Sequence, residues 1–497
     1  MFMAPTKQLS IIPMFDFSTV SYNKASDVYL DVLLSAPEMD EATKHIPLHL
    51  ILAIDCSGSM AGYKLDMVKQ TVEKLIRHLA EDDNLGIIGF SDNIWDVLPP
   101  MAMNQKNKEL AVSNVKALTS HNMTNLSGAI QSATEKAVTG DKSKISRIIV
   151  LTDGLPTVGE CNKEKLVELA GKINPTVSIS TFGYGTDFDS ELMTSISKVG
   201  RGNNSYIKTD EDCPKAFALE LGGLLSLFAQ NLRLRITPSE TMSFQELLSE
   251  YKCSQKNGYR LATEPTIDIV IDDIYGGENK HILMKLTVPE ATKAVCARDT
   301  RVCDLELAYS TPGTKEEILL SATAKIKYCK PEKSQKLPNE EVQKQVHLFE
   351  IAKIQKEAME KAEKGQLQEA RILLKEGINY IHLNGISGYQ GYENLEKTWT
   401  TMSADFADSG TYLTRGVKSA GAVYSSLAFN RASSSDVGSM GFATKLQKTL
   451  VNSFTSDPID PLPAVNPDPF VKSFSNPDPL VKQFVNPDSE PTVNKEK

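Results

Sequence analysis

The chain has 497 residues, 41% of them hydrophobic and 24% charged, which is the composition of a soluble globular protein too long for one core; two to four folded units are expected. Its formal net charge of −9 carries no long block of like charge, which excludes the clustered lysines and arginines that a nucleic-acid surface needs. Seven cysteines without a Cys-x-x-Cys pair argue against a zinc module and a full disulfide framework, and point to reduced thiols in the cytoplasm.

The first residues, MFMAPTKQLS, lack a basic stretch followed by an apolar run, so no secretory signal is expected, and neither end carries a lipidation motif. Residues 1–46 contain extended runs such as Leu9-Ser10-Ile11-Ile12 and Val28-Tyr29-Leu30-Asp31-Val32-Leu33, expected to be strands that complete a later sandwich. From 47 to 235 short apolar runs alternate with amphipathic segments. Strands are predicted at 48–54, 85–90, 94–98, 148–151 and 177–182, and helices at 64–79, 106–118 and 126–138. Apolar strands separated by helices imply a mainly parallel sheet covered on both faces. The most apolar segment, 216–232, is interrupted by Glu220 and Gln230 and is short for a membrane span, so it reads as a buried helix.

Alternating β-branched runs return at 266–271, 281–288, 303–309 and 318–328, which predicts a β-sandwich over 236–335. A helical region covers 336–430. Its first part, 340–383, spaces Leu348, Ile351, Ala352, Met359 and Ala362 as one helix and, after Gly365, Leu367, Ala370, Leu374, Ile378 and Ile381 as a second. Residues 431–497 read as a linker and a disordered tail with a ten-residue repeat, Asn466-Pro467-Asp468-Pro469-Phe470 and Asn476-Pro477-Asp478-Pro479-Leu480. The fold class expected is therefore α/β: a doubly wound, mostly parallel sheet, with a β-sandwich, a helical C-terminal region and a disordered tail.

The motif that carries chemistry is Asp55-Cys56-Ser57-Gly58-Ser59, directly after the first buried strand. Oxygen side chains at alternate positions face one point if the chain curls, and Gly58 permits the curl. Asp153 follows the strand at 148–151 within Thr152-Asp153-Gly154, and Thr124 precedes the helix at 126–138. All three segments are expected at the carboxyl edge of one parallel sheet, where such folds bind ligands. Three hydroxyls and two carboxylates make a hard-oxygen site suited to magnesium or calcium and poor for zinc. Five such side chains leave a coordination position for an outside ligand, and an acidic side chain is the natural occupant.

Asp55-x-Ser57-x-Ser59, Thr124 and Thr152-Asp153-Gly154 resemble, in order and spacing, the metal-ion-dependent adhesion site of von Willebrand factor type A domains. Thr181-Phe182-Gly183-Tyr184-Gly185 and the stretch 200–206 resemble family text as well, and the likeness runs over roughly 45–430, strongest before 235. It implies an intracellular type A domain over 47–235 in which Ser57, Ser59 and Thr124 touch the metal directly, while Asp55 and Asp153 act largely through water. One departure is Asn122-Met123, where the family often has glycines before its threonine. The strands that follow resemble those after the type A domain in intracellular relatives, some of which carry a RING finger. This chain lacks the paired Cys and His array of a RING, so a ubiquitin-ligase role is not expected.

The function expected is a non-enzymatic, divalent-cation-dependent scaffold or adaptor. It holds Mg2+, or Mn2+ or Ca2+, on Asp55, Ser57, Ser59, Thr124 and Asp153 and binds an Asp or Glu of a partner protein, without nucleic acid or membrane insertion. Two alternatives stand beside it: a metal-dependent hydrolase, since a Lewis-acid cation activates water, and a structural protein with an idle site. Blander roles exist for single residues. Ser59 has the chemistry of a helix cap, His121 that of an exposed loop residue rather than a base, and Cys56 that of a core thiol. Glu160, Asp187 and Glu191 read as solvated charges near the rim. In the tail, Asp468-Pro469-Phe470 resembles short motifs that bind clathrin-adaptor appendages, against the default of a spacer.

Overall fold

The chain begins with three strands that serve two sheets. β1 (Ser10–Phe15) and β3 (Ser26–Ser35) pair antiparallel, whereas the short β2 (Thr19–Ser21) between them joins β17 (Glu317–Cys329) in parallel. Val28, Leu30, Val32 and Leu34 of β3 are all buried, the one-sided alternation that a period of two produces.

Next comes the α/β unit: β4 (Leu48–Asp55), α1 (Tyr63–His78), β5 (Asn84–Phe90), β6 (Ile94–Ala102), α2 (Gln105–Lys116), α3 (Leu126–Val138), β7 (Ile145–Thr152), α4 (Lys163–Gly171), β8 (Val177–Tyr184), α5 (Ser190–Val199), β9 (Arg201–Ile207) and α6 (Asp212–Leu225). The sheet order is β6-β5-β4-β7-β8-β9, and only β6 runs antiparallel to its neighbour. Every residue of β4 and β8 is buried, as strands covered on both faces require. Ile51 and Ala53 pack with Ile130 of α3, Leu166 of α4 and Ile196 of α5 in one core. The alternate residues of β4, Leu50, Leu52 and Ile54, turn to the opposite face, on which α6 lays Phe217 edge-on against Phe182 of β8 at 4.9 Å. α1 packs beside α6 and α2.

The remaining strands are β10 (Leu227–Pro238), β11 (Ser243–Leu247), β12 (Lys252–Cys253), β13 (Ile267–Ile271), β14 (Ile274–Tyr275), β15 (Asn279–Val288), β16 (Asp299–Ser310) and β17. They form one sheet of order β1-β3-β15-β11 and another of order β12-β13-β10-β16-β17-β2, with β14 also on β10. The inner faces share a core that includes Leu30, Val32, Ile236, Ile269, Met284 and Leu305. The N-terminal strands sit inside this sandwich, so the α/β unit is an insertion between β3 and β10. A polar joint ties the two together. Arg147, buried on β7, lies 3.2 Å from Asp273 and 3.9 Å from Glu220 of α6. Glu220 also accepts from Ser180 and from Asn203, whose amide reaches the Tyr275 hydroxyl at 3.0 Å.

The segment 216–232, expected as one helix, is two elements. The helix stops at Leu225, where the Ser226 hydroxyl donates back to the Gly222 carbonyl at 2.6 Å, and Leu227 opens a strand. Leu232, Leu234 and Ile236 then alternate with exposed residues, a strand period that the run of apolar letters hides.

The C-terminal helices are α7 (Glu340–Glu363), α8 (Leu367–Leu383), α9 (Leu395–Asp405), the one-turn α10 (Ser409–Thr411), α11 (Val417–Phe429) and α12 (Lys445–Ser456). α7 sets Val342, Val346 and Phe349 against Leu283 of the sandwich. α8, α9 and α11 close a core around the fully buried Trp399. Lys418 of α11 donates to the Thr186 carbonyl in the β8–α5 loop and lies 4.9 Å from the Phe188 ring centre, so this bundle also touches the α/β unit. α12 falls where a linker was expected. It packs on α6, Phe454 meets His78 of α1 at 4.9 Å, and Gln447 donates to the Leu219 carbonyl at 3.0 Å.

This computed structural model describes residues 8–39, 46–141, 143–174, 176–240, 242–253, 266–296, 298–312, 316–389, 392–429 and 443–456; the tail repeat at 466–488, expected to be disordered, lies outside them. Among the described residues no helix is long and apolar enough to cross a membrane.

Phe454 is fully buried although its helix is the last of the described elements in the chain. Phe454→Ala is expected to lower the unfolding free energy by about 3 kcal/mol, the cost of an aromatic core truncation, in urea titration followed by far-UV circular dichroism. A change below about 0.5 kcal/mol would mean that α12 contributes nothing to the stability of the unit.

Candidate functional site

β4 and β7 run side by side with Ile54 opposite Leu151, so Asp55 and Thr152 end neighbouring strands at the carboxyl edge of the sheet. The Thr152 hydroxyl donates to Asp55 Oδ2 at 2.5 Å, and the Ser57 N–H donates to Oδ1 at 2.8 Å. One carboxylate oxygen therefore braces the loop that follows, and the other ties β4 to the end of β7. Asp55 is fully buried, and burial raises its carboxyl to about pKa 6, against the hydrogen bonds from Thr152 and Ser57 and with the charge of Asp153 adding to the rise.

The loop after Asp55 folds into a single 3₁₀ turn, Gly58–Met60. It brings the Ser57 and Ser59 hydroxyls within 3.0 Å of each other, and Ser59 donates to Asp153 Oδ1 at 2.6 Å. Gly58 lies close under the third loop: a Cβ there would stand 3.1 Å from the His121 carbonyl, a tight contact, and the Gly58 N–H donates to the Asn122 carbonyl at 3.2 Å. Thr124 is held in a third loop by its N–H on the Thr157 hydroxyl at 2.9 Å, and its carbonyl accepts from Thr157 and Val158. Asp92, in the β5–β6 turn, accepts from the Met123 N–H at 2.6 Å. The point where a Gly154 side chain would begin lies 3.5 Å from the Ser59 hydroxyl and 3.7 Å from that of Thr124. Three hydroxyls thus gather beside one buried carboxylate.

A cation of the protein's own completes the cluster. Lys64 Nζ lies 2.5 Å from Asp153 Oδ2, with Asp153 wholly buried and the lysine side chain 29% exposed. Gly62, at φ +79°, turns the chain into α1 one residue before Tyr63 and two before Lys64. A lysine in the first turn of a helix opposes the helix dipole, a modest cost that a local anion offsets. Asp153 is that anion.

The structure brings Ser57, Ser59, Thr124 and Asp153 to one point, and Asp55 stands behind them as a brace. Ser59 does not cap a helix; α1 begins after Gly62, which provides no side-chain cap. His121 is an exposed loop residue, as expected, and sits edge-on to the Trp95 ring at 5.2 Å. Cys56 is buried, and burial pushes its thiol up to about 12. Glu160 pairs with Lys165 and Glu191 with Lys163, while Asp187 is exposed, so these are solvated surface charges. Lys64, Thr157 and Asp92 were not singled out in the sequence, and Thr152 was quoted without a role. Only Lys64 left a signal there, as a basic residue at a helix start.

Residues 49–218 match the von Willebrand factor type A domain, and the chain carries that domain. A solved von Willebrand factor type A protein from Catenulispora acidiphila shares the fold with a TM-score of 0.61 at 14% identity, over 84% of this chain and 98% of that one. Among curated relatives, the uncharacterized protein YfbK of Escherichia coli (strain K12) is 26% identical over 256 residues, 50% of this chain and 43% of its own length. The E3 ubiquitin-protein ligase WAV3 of Arabidopsis thaliana is 24% identical over 280 residues, 56% of this chain and 35% of its own. The chain spans less than half the length of either relative.

Two buried carboxylates against one ammonium make Lys64 the main electrostatic support of the site in metal-free protein. Lys64→Met is expected to lower stability by about 2 kcal/mol in buffer containing EDTA, because Asp153 is left buried and uncompensated, and Lys64→Arg by less. Equal stability of Lys64→Met and the parent in chemical denaturation would show that Asp153 needs no partner.

Proposed function

We propose that this chain is a divalent-cation-dependent protein–protein interaction scaffold that captures an acidic residue of its partner at the carboxyl edge of the type A domain. The observation that carries the reading is the Ser59 hydroxyl, which reaches both the Ser57 hydroxyl at 3.0 Å and the Asp153 carboxylate at 2.6 Å. Three oxygens from two distant loops in mutual contact are a cradle for a small hard cation.

The donor chemistry fits such an ion. Hydroxyls and carboxylates without nitrogen or sulfur suit Mg2+, Mn2+ or Ca2+. Ser57, Ser59 and Thr124 would hold the ion directly, and Asp55 and Asp153 through water. A bound divalent cation supplies the positive charge that draws in a partner's Asp or Glu. Without it, two carboxylates against the Lys64 ammonium leave the cluster negative by one charge; with it, the balance becomes positive by one. The raised carboxyl of Asp55 fits the same picture, since a nearby cation relieves the cost of keeping that group ionised.

The role is non-enzymatic in this reading: the side chains assembled here hold an ion and brace loops, and none is set as a nucleophile with its base. The compartment we assign is the cytoplasm, in keeping with seven free thiols. One observation favours a second reading. Lys64 on Asp153 is itself a cation at the site, as a degenerate domain that keeps the fold without the metal would have.

The two readings differ in how the purified protein responds to metal. Mg2+ at about a hundred times its dissociation constant is expected to stabilise the fold by about 2.7 kcal/mol, seen as a higher melting temperature. Ser57→Ala and Thr124→Ala are expected to abolish that rise while leaving the metal-free melting temperature within a few degrees of the parent. Partner capture is expected to vanish in EDTA and in Asp55→Ala. A melting temperature indifferent to Mg2+, Mn2+ and Ca2+ alike would establish the idle site instead.

A further inference from the structure

The three loops that converge on the cluster share a second property. Each exposes one large apolar side chain in it or directly after it: Tyr63, which opens α1 four residues after Ser59, is 62% exposed, Met123, just before Thr124, is 50% exposed, and Leu155, two after Asp153, is 54% exposed. Single exposed apolar residues are ordinary on a protein surface. These three lie within four residues of the cluster in each of its three chain segments, and apolar groups bordered by polar ones mark interaction surfaces.

The same loops are tightly constrained beneath these side chains. Met123 has its N–H fixed on Asp92 at 2.6 Å, and Tyr63 adjoins Lys64, whose ammonium is locked on Asp153. Loops latched in this way present their side chains with little ordering left to do on binding. Tyr supplies a rigid, amphipathic contact and Met an adaptable one, both suited to an interface.

We infer that the partner segment taken at this site carries one Asp or Glu with apolar residues immediately beside it, which rest on Tyr63, Met123 and Leu155. The inference deepens the cation-bridged capture proposed above and depends on it. Charge complementarity fixes the centre of the segment as a carboxylate, because a divalent cation turns the cluster positive. The apolar rim then decides among acidic segments. An Asp amid serines would satisfy the cation but leave the rim wet, whereas an Asp between leucines covers it, and each apolar side chain removed from water adds affinity. Electrostatics selects the carboxylate and the rim selects its neighbours.

The test is selection of short randomised peptides, displayed on phage, on the immobilised full chain in Mg2+ with elution by EDTA. The expected eluate is enriched in Asp or Glu with apolar residues within two positions. A synthetic probe of sequence Gly-Leu-Asp-Leu-Gly type is expected to bind about tenfold more tightly than its Gly-Ser-Asp-Ser-Gly counterpart in fluorescence polarisation. In the double variant Met123→Ser, Leu155→Ser that ratio is expected to fall to about one, with the Mg2+-induced rise in melting temperature retained. Carboxylates with polar neighbours in the eluate, or a ratio that the double variant leaves intact, would overturn the inference and spare cation-bridged capture. An eluate without enrichment of carboxylates would overturn both. Mg2+-dependent dimerisation in analytical ultracentrifugation, lost in the double variant, would assign the patch to a second copy of the chain and also overturn the inference.

Discussion

Two like charges buried at the ends of adjacent parallel strands repel each other and have lost their water, and the arrangement around Asp55 and Asp153 answers both difficulties. Asp55 spends its oxygens on the Thr152 hydroxyl and the Ser57 N–H. Asp153 draws on Ser59 and on an ammonium delivered from the first turn of α1. The β4–α1 loop and the start of α1 are shaped by that requirement. The turn at Gly58–Met60 exists to aim two hydroxyls, the close approach of Gly58 to His121 ties in the third loop, and Gly62 reverses direction so that Lys64 arrives where it is needed.

β7 is the element that links this edge to the rest of the molecule. Its carboxyl end leads into Thr152 and Asp153, while near its other end Arg147 enters the polar joint with Glu220 and Asp273. The buried arginine is costly to desolvate, and its carboxylates only offset that cost, so the joint is better regarded as a device for fixing orientation than as a source of stability. Ser226 is the single residue between α6 and β10, which leaves the α/β unit little freedom to turn on the sandwich. The C-terminal bundle adds a third restraint through Lys418 on the β8–α5 loop. The type A domain is thus held at several points around its sheet.

Much of this was legible in the sequence, for identifiable reasons. The parallel sheet announced itself because strands covered on two faces must be apolar throughout, as in Leu48 to Ile54. The cluster was legible because its hydroxyls and carboxylates sit at fixed offsets from strand ends. What escaped has a common cause in contacts between residues far apart in the chain. The helix at 445–456 is held by α6 and α1, so its own sequence resembles a polar linker. The passage from helix to strand at Ser226 is hidden because both sides of it are apolar. Lys64 stood in the sequence only as a basic residue at a helix start, and its role depends on an aspartate in another loop. Likewise, nothing in β2 signals that it leaves its neighbours to pair with β17.

The insertion of the α/β unit between β3 and β10 bears on how the polypeptide assembles. Ser35 pairs with Asn279, so the first strands emerge from the ribosome more than two hundred residues ahead of their partner. Until then β3 is an open edge, the kind of template on which nascent chains stick to one another. An intervening segment that collapses by itself shortens the gap, because its folded ends lie close together and the closure left to make is small. The least costly order of events is the inserted unit first and the sandwich last, as a clasp shut around it. A lesion in the α/β core would then surface as failed closure of strands that it never touches.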